Sequence, residues 1–167
     1  MVTQAVPRPP TGPLLRALAA VVPVAAAAIL GSAATLPNIP TWYASLAKPS
    51  FTPPNGAFSP VWAILYALMA YAAWRLLSLP QGTAGRAGAL TAFFVQLALN
   101  AAWSWAFFWM RSPWAGLLVI LPLLLMILVT IRRFWPLDRL AAALLVPYAV
   151  WVAFATVLNA AIWRLNP

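Results

Sequence analysis

The sequence contains no cysteine and no histidine, and Asp138 is its single acidic residue. These absences exclude a Ser-His-Asp triad, a thiol nucleophile and a pair of carboxylates for acid–base catalysis. They also exclude a metal site built from strong ligands, so neither a catalytic residue nor a metal ligand is predicted. Disulfide bonds cannot form, and cysteine usage therefore says nothing about the redox compartment.

Charged side chains are scarce as well. They make up 7% of the 167 residues, whereas 65% are hydrophobic; about a quarter of the residues in a soluble domain are charged. The net charge of +9 comes from ten Lys and Arg residues, most of which adjoin the ends of apolar segments. This distribution is typical of membrane-protein loops, and it argues against nucleic-acid binding, which uses clustered basic patches.

The long apolar segments predict an all-α fold, an integral membrane bundle of five transmembrane helices. We expect the helices at about 13–36, 59–79, 87–110, 113–132 and 137–164. The third and fourth are joined by only a few residues, so they should be antiparallel neighbours. Residues 1–12, polar and rich in proline, predict a flexible N-terminal tail. A signal peptide is the alternative for the first apolar segment, but its length favours a retained helix.

Residues 37–58 separate the first two predicted helices. They include five prolines, a number that predicts a loop rather than a spanning helix. Their aromatic residues argue against disorder, because aromatic side chains favour burial. Two interpretations stay open: an aromatic belt at the membrane interface with Lys48 among the headgroups, or a lid that covers the mouth of a pocket.

The third predicted helix carries a polar stripe. Gln96, Asn100, Trp103 and Phe107 fall on one helical face. Amides in a membrane are costly unless they are hydrogen-bonded, so this stripe should face neighbouring helices, a ligand or both. As an alternative, Asn100 bonds a backbone carbonyl that Pro147 leaves free on the fifth helix. The ten tryptophans are also more than two interfacial belts require.

The basic residues give an orientation. Five spans place the two termini on opposite sides of the membrane. One side holds seven Lys and Arg residues (Arg8, Arg16, Arg75, Arg86, Arg132, Arg133 and Arg139), and the other holds three (Lys48, Arg111 and Arg164). The positive-inside rule then predicts a cytoplasmic N-terminus in a bacterial membrane.

Small residues repeat at a spacing of four on two of the helices. They are Ala98, Ala102 and Ala106 on the third helix, and Ala149 and Ala153 on the fifth. Such faces allow close helix–helix approach in lipid and predict a seam, with a homodimer as one version. The alternative is that alanine is simply common in this chain.

Four stretches resemble the translocator protein family, also called tryptophan-rich sensory proteins or peripheral benzodiazepine receptors. They are WYASLAKPSFTPP at 42–54, SPVWAILY at 59–66, QLALNAAWSWAFF at 96–108 and LVPYAVWVAFATVLNAAIWRLN at 145–166. They keep the family's order and span most of the chain. The sequence is therefore identified as a bacterial-type member of that family.

The resemblance implies a five-helix membrane protein, often dimeric, that binds porphyrins, sterols and synthetic aromatic ligands in a pocket closed by the first loop. The family's ligand-surrounding positions correspond here to Trp62, Asn100 and Trp151. Within one or two turns of them, on the same faces, lie Tyr66, Gln96, Trp103, Tyr148 and Ala155. In the loop, the matching residues are Trp42, Lys48 and Pro49, and we expect Lys48 to pair with porphyrin carboxylates.

The resemblance departs from animal members in one place. Their sterol-recognition pattern needs a Tyr before Arg164, where this chain has Ala160 and Ala161. The expected function is therefore that of a membrane receptor or transport protein for tetrapyrroles, with porphyrin as ligand rather than cofactor. Two alternatives stay open: an enzyme that degrades porphyrin in light through pocket tryptophans, and a structural or assembly partner without a ligand.

Overall fold

The computed structural model describes residues 12–167, and the tail predicted for the first residues lies outside that range except for Gly12. Within the described range all regular structure is helical. The helices are α1 Pro13–Thr35, α2 Asn55–Ser78, α3 Arg86–Ser104, α4 Pro113–Phe134, α5 Arg139–Leu144 and α6 Val146–Leu165. α1 continues as a 3₁₀ turn, Leu36–Asn38, and a π-helical turn, Ile39–Tyr43; α3 continues as a π-helical turn, Trp105–Trp109.

Five of the resulting helical segments are long and apolar enough to cross a membrane. Over residues 12–167 they are Pro13–Tyr43, Asn55–Ser78, Arg86–Trp109, Pro113–Phe134 and Arg139–Leu165. This confirms the predicted all-α bundle of five spans. α1 packs on α2 and α3, α4 packs on α3 and α6, and α2 meets the fifth span mainly through α5. Because α2 does not follow α6 along its length, space is left between them beyond α5.

The loop predicted over 37–58 is shorter than expected. The chain stays helical through Pro37 and Pro40, and α2 begins at Asn55 after Pro54 rather than at Ser59. A proline ring clashes with the carbonyl four residues earlier in a regular α-helix. The 3₁₀ and π-helical turns change that spacing, which lets the helical path pass both prolines. The irregular segment is therefore 46–54, called the connecting loop below.

The last predicted helix, 137–164, is divided at Leu145. Pro147 has no N–H to donate, and the chain tightens just before it: the Leu145 N–H bonds the carbonyl of Ala142, three residues earlier, at 3.1 Å. α5 begins after Asp138, whose side chain accepts a hydrogen bond from the Ala141 N–H at 2.9 Å. The aspartate therefore caps the helix, at the end where a negative charge is favourable.

Asp138 also holds the second span against the fifth. Arg75 of α2 donates through Nε to Asp138 Oδ2 at 2.8 Å. Burial by itself would raise the pKa of this carboxyl. The hydrogen bonds from Ala141 and Arg75, together with the arginine charge, outweigh burial, so the pKa of Asp138 lies below its ordinary value.

The end of the bundle around α5 is tightly packed. Phe93 of α3 and Phe134 of α4 are fully buried and stacked, with ring centroids 6.1 Å apart. Arginines close the helix ends there: Arg86 donates to the carbonyls of Leu76 and Leu77 at 3.0 and 3.1 Å. The basic residues near the connections after α2 and after α4 therefore lie at this end of the bundle. The side of the membrane that this end faces stays a prediction.

The small-residue faces differ in exposure. Ala98 and Ala102 lie on the outer surface of α3, whereas Ala106 is buried. On α6, Ala149 is buried and Ala153 is half-buried. Ala106 and Ala149 therefore pack inside the chain, whereas Ala98 and Ala102 are exposed. The homodimer stays a prediction.

Candidate ligand-binding site

A pocket of about 390 Å³ lies between α1, α2, α3 and α6. Its size falls within the range of about 300–1,000 Å³ that is usual for small-molecule sites. Its wall is largely aromatic, formed by Tyr43, Phe58, Trp62, Tyr66, Trp103, Phe108 and Trp151. Hydroxyl and amide groups are few, from Ser32, Thr35, Asn55, Ser59 and Ser104. The arrangement suits an apolar ligand with flat rings and a few polar atoms.

The rings of this wall are fixed by one another. Trp62 lies against Tyr66 with centroids 5.4 Å apart and planes inclined by 30°. Phe58 meets Trp151 edge to face at 5.9 Å. Such aromatic pairs add stability beyond their buried area, so the pocket is formed before any ligand arrives.

Asn100 lies behind the pocket wall and links two tyrosines. The Tyr66 hydroxyl donates to Asn100 Oδ1 at 2.8 Å, and Asn100 Nδ2 donates to the Tyr148 hydroxyl at 3.0 Å. Asn100 is 2% exposed and Tyr148 is fully buried. The oxygen and the nitrogen of the Asn100 amide thus both bond tyrosine hydroxyls. The alternative in which Asn100 bonds a carbonyl freed by Pro147 is wrong. Asn100 reaches the pocket through Tyr66.

Gln96, one turn before Asn100, is placed differently. Its side chain is 1% exposed, and neither its Nε2 nor its Oε1 has a hydrogen-bond partner among the described residues. It lies in the packed interior. Tyr66, Trp103 and Ser104 line the pocket, and Gln96 is not among the lining residues. The structure therefore does not bring Gln96 to the pocket surface.

Trp103 reaches the pocket from α3 and is held from behind by α6. Its indole Nε1 donates to Asn159 Oδ1 at 3.2 Å, and Asn159 Nδ2 donates to the Pro113 carbonyl at 2.7 Å. Sequence reasoning missed Asn159. The signal was present, because a single amide in the apolar run ATVLNAAI needs a partner just as Asn100 does.

The predicted lid residues lie beside the pocket rather than in it. Trp42 packs on Phe107 with centroids 5.4 Å apart. Lys48 Nζ donates to the carbonyls of Ala44 and Leu46 at 3.3 and 3.1 Å and lies 4.8 Å from the centroid of the Tyr43 ring. Tyr43 itself lines the pocket and was missed.

Two pairs of hydrogen bonds fix the connecting loop, one within the loop and one to the residue after α6. The Pro49 carbonyl accepts hydrogen bonds from the Thr52 N–H at 3.1 Å and the Thr52 hydroxyl at 2.8 Å. At the other anchor, Asn166 Oδ1 accepts from the Ala47 N–H at 3.0 Å while Asn166 Nδ2 donates to the Ala47 carbonyl at 2.9 Å. The end of α6 therefore clasps the loop next to the pocket.

α1 supplies a wall that sequence reasoning did not assign. Gly31 is buried against α3, and a Cβ at this position would lie 3.2 Å from Ser104 Oγ and 3.8 Å from the Tyr66 hydroxyl. Because glycine has no side chain, α1 can approach the pocket floor closely. Glycine in an apolar helix is a weak signal for such a role.

Comparison of the sequence with known proteins identifies its family. The TspO/MBR family model matches residues 19–164. This chain belongs to the TspO/MBR family. It is 38% identical over 156 residues to the tryptophan-rich protein TspO of Archaeoglobus fulgidus, which covers 92% of this chain and 98% of that protein. The tryptophan-rich protein TspO of Chlorobaculum tepidum is 41% identical over 136 residues, 78% of this chain and 84% of that protein.

The similarity extends to animal members of the TspO/MBR family. The human translocator protein is 37% identical over 126 residues, 75% of each chain. Membership in the TspO/MBR family and the five apolar spans together identify the chain as a multi-pass membrane protein. Of the residues carried over by resemblance, the structure brings Trp62, Tyr66, Trp103, Trp151 and Ala155 to the pocket surface.

Proposed function

We propose that this chain is a membrane receptor or transport protein that binds tetrapyrroles and other flat, hydrophobic aromatic ligands in this pocket. The observation that carries the proposal is the aromatic wall, to which Trp62, Trp103 and Trp151 each contribute an indole ring. Flat macrocycles are held well between ring faces, with a small number of hydrogen bonds to fix their orientation. Membership in the translocator protein family supports the same class of ligand.

One polar group of the pocket, the Tyr66 hydroxyl, favours a ligand that donates a hydrogen bond. The Tyr66 hydroxyl donates a hydrogen bond to Asn100 Oδ1, so the lone pairs of its oxygen are left as acceptors. The inner N–H groups of a porphyrin point at the centre of the macrocycle, so the donor that meets Tyr66 must lie at the edge of the ligand. Tyr66 therefore serves as the orienting acceptor of the site.

Porphyrin carboxylates need a cation at the mouth. Lys48 is the candidate, because its ammonium group lies over the ring of Tyr43, which lines the pocket. The ammonium group has three N–H donors, and two of them bond the carbonyls of Ala44 and Leu46. The third is left for a ligand carboxylate, whose hydrogen bond would join two charged groups.

Access follows from the exposed part of the wall. Ser32 of α1, Leu36 of the 3₁₀ turn that follows it, and Ser59 and Ala63 of α2 all line the pocket and are exposed. In a bilayer this edge faces lipid. A hydrophobic ligand would enter along it from the membrane.

The test is a titration of the purified protein in detergent with protoporphyrin, read by tryptophan quenching. Trp151→Phe removes indole area from the pocket, and the affinity should fall by roughly two- to tenfold, the scale of one aromatic contact. Trp114→Phe is the matched control, because Trp114 is exposed and pairs with Trp163 away from the pocket. Quenching that never saturates, or that falls equally in both variants, would contradict the proposal by showing that porphyrin dissolves in the micelle.

A further inference from the structure

Trp103 is a pocket indole that other side chains contact on the side away from the cavity. Its N–H is bonded to Asn159 Oδ1 at 3.2 Å, and its ring stacks on Phe107 with centroids 5.6 Å apart and planes inclined by 28°. A tryptophan N–H inside a protein usually has a partner, since leaving it without one is costly. The edge and one face of this ring are therefore both fixed on the side away from the ligand.

Asn159 is itself fixed. It is 2% exposed, and its Nδ2 donates to the Pro113 carbonyl at 2.7 Å, in the first turn of α4. The amide therefore cannot rotate without losing one bond or the other. Asn159 ties three spans together, because Trp103 belongs to α3, Pro113 to α4 and Asn159 to α6.

Gly116 makes this arrangement possible. A Cβ at Gly116 would lie 2.7 Å from Asn159 Oδ1 and 2.8 Å from Phe107 Cδ2, closer than real Cβ contacts. Any side chain there would push on the hydrogen-bond acceptor of Trp103 and on the ring that stacks against it. Both restraints on Trp103 therefore depend on the missing side chain of Gly116.

We propose that Asn159, in the space left by Gly116, is a positioning residue that sets the orientation of Trp103 and so determines which flat ligands fit the pocket. Asn159 lies behind the wall and acts through Trp103, not by touching the ligand. The effect on ligand choice rests on the proposed function, whereas the effect on Trp103 does not.

The first experiment reads Trp103 without a ligand. The full chain is labelled with 5-fluorotryptophan in detergent, and the ¹⁹F resonance of Trp103 is assigned from its loss in Trp103→Phe. In Asn159→Leu and in Gly116→Ala this resonance should shift or broaden. Asn38→Leu is the matched control, because Asn38 is also a buried asparagine but bonds Ala34 and Arg111. An unchanged Trp103 resonance in both test variants would overturn the proposal.

The second experiment is a double-mutant cycle read by porphyrin affinity. Asn159→Leu should weaken binding by roughly tenfold, the scale of one buried hydrogen bond. In a Trp103→Phe background no indole N–H exists, so the same change should alter affinity by less than roughly twofold. Equal losses in both backgrounds would overturn the proposal, because Asn159 would then act by another route.

The two experiments separate the failures of the two proposals. If the wild-type chain never binds porphyrin saturably while the Trp103 resonance shifts in Asn159→Leu, the proposed tetrapyrrole function fails and the positioning role of Asn159 stands. If porphyrin binds saturably and the resonance does not move, the positioning role fails and the proposed function stands.

Discussion

The two halves of α3 are built in different ways. From Ala89 to Leu97, its buried face is mostly apolar, and Phe93 stacks on Phe134 with no room between them. From Asn100 onward, the same helix carries hydrogen-bonded amide and indole groups and forms the floor of the pocket. A closely packed apolar core leaves no room for a ligand. In the pocket half, the hydrogen bonds between spans lie behind the wall and fix the side chains of Tyr66 and Trp103 that face the cavity.

Gln96 and Asn100 mark the border between these halves. They are one turn apart, both are amides, and both are buried. Asn100 has a tyrosine on each side, while Gln96 has no partner among the described residues. Asn100 thus contributes to the site because two other helices supply hydroxyls that bond it.

The largest effect is expected at Asn100. Asn100→Leu leaves the hydroxyls of Tyr66 and Tyr148 without partners, and the free energy of unfolding should fall by about 2 kcal/mol, given about 1 kcal/mol for each hydrogen bond between membrane helices. Thermal unfolding in detergent measures the change.

The control for this change removes the hydroxyls as well. In a Tyr66→Phe, Tyr148→Phe background the same substitution leaves no unsatisfied partner, so its cost should be much smaller. If Asn100→Leu lowers the free energy of unfolding equally in both backgrounds, Asn100 stabilises the bundle by some other contact. The proposed difference between the two halves of α3 would then be wrong.

A smaller effect with a distinct pH dependence is expected at Asp138, at the tightly packed end of the bundle around α5. Its pKa is lowered by folding, so its contribution to stability is present above the unfolded pKa of about 3.9 and is lost as the pH falls through the folded value. Asp138→Asn keeps a side chain that can cap the helix and removes the charge that pairs with Arg75. It should lower the free energy of unfolding by less than about 1 kcal/mol near pH 7, the scale of a solvent-screened ion pair. Unfolding curves for both proteins should converge as the pH falls below about 4. A difference that persists in acid would refute the assignment.

The smallest effect is expected at Gln96. Gln96→Leu removes a buried amide that makes no hydrogen bond within residues 12–167, so stability should stay within about 1 kcal/mol of wild type or rise. Porphyrin affinity should not change, because Gln96 is off the pocket surface. A loss of stability as large as that of Asn100→Leu, measured in the same thermal assay, would show that Gln96 has a hydrogen-bond partner. Gln96 and Asn100 would then not differ in the way described above.

The sequence predicts the parts of this structure that depend on local pattern. Apolar length predicts the five spans, and the resemblance predicts Trp62, Tyr66, Trp103 and Trp151, which all line the pocket. The helical path through Pro37 was missed, because the rule against proline assumes regular α-helical spacing and the chain adopts other helical turns there.

The roles of the buried amides were predicted only in part. Periodicity places Gln96 and Asn100 on one face and cannot tell which one meets Tyr66 and Tyr148, since those partners come from helices distant in sequence. The bond from Trp103 to Asn159 joins residues 56 positions apart, and no local pattern records it. Long-range partners decide which polar groups build the site.

The central claim is that ligand binding occurs inside this pocket, and the most direct test fills it. Ala155 lines the pocket on α6, and Val157 lies two residues further on the exposed face of the same helix. In a protoporphyrin titration, Ala155→Phe should abolish saturable binding while Val157→Phe keeps it, with both variants unfolding near the wild-type temperature. Saturable binding that survives Ala155→Phe unchanged would place the ligand elsewhere and contradict the account.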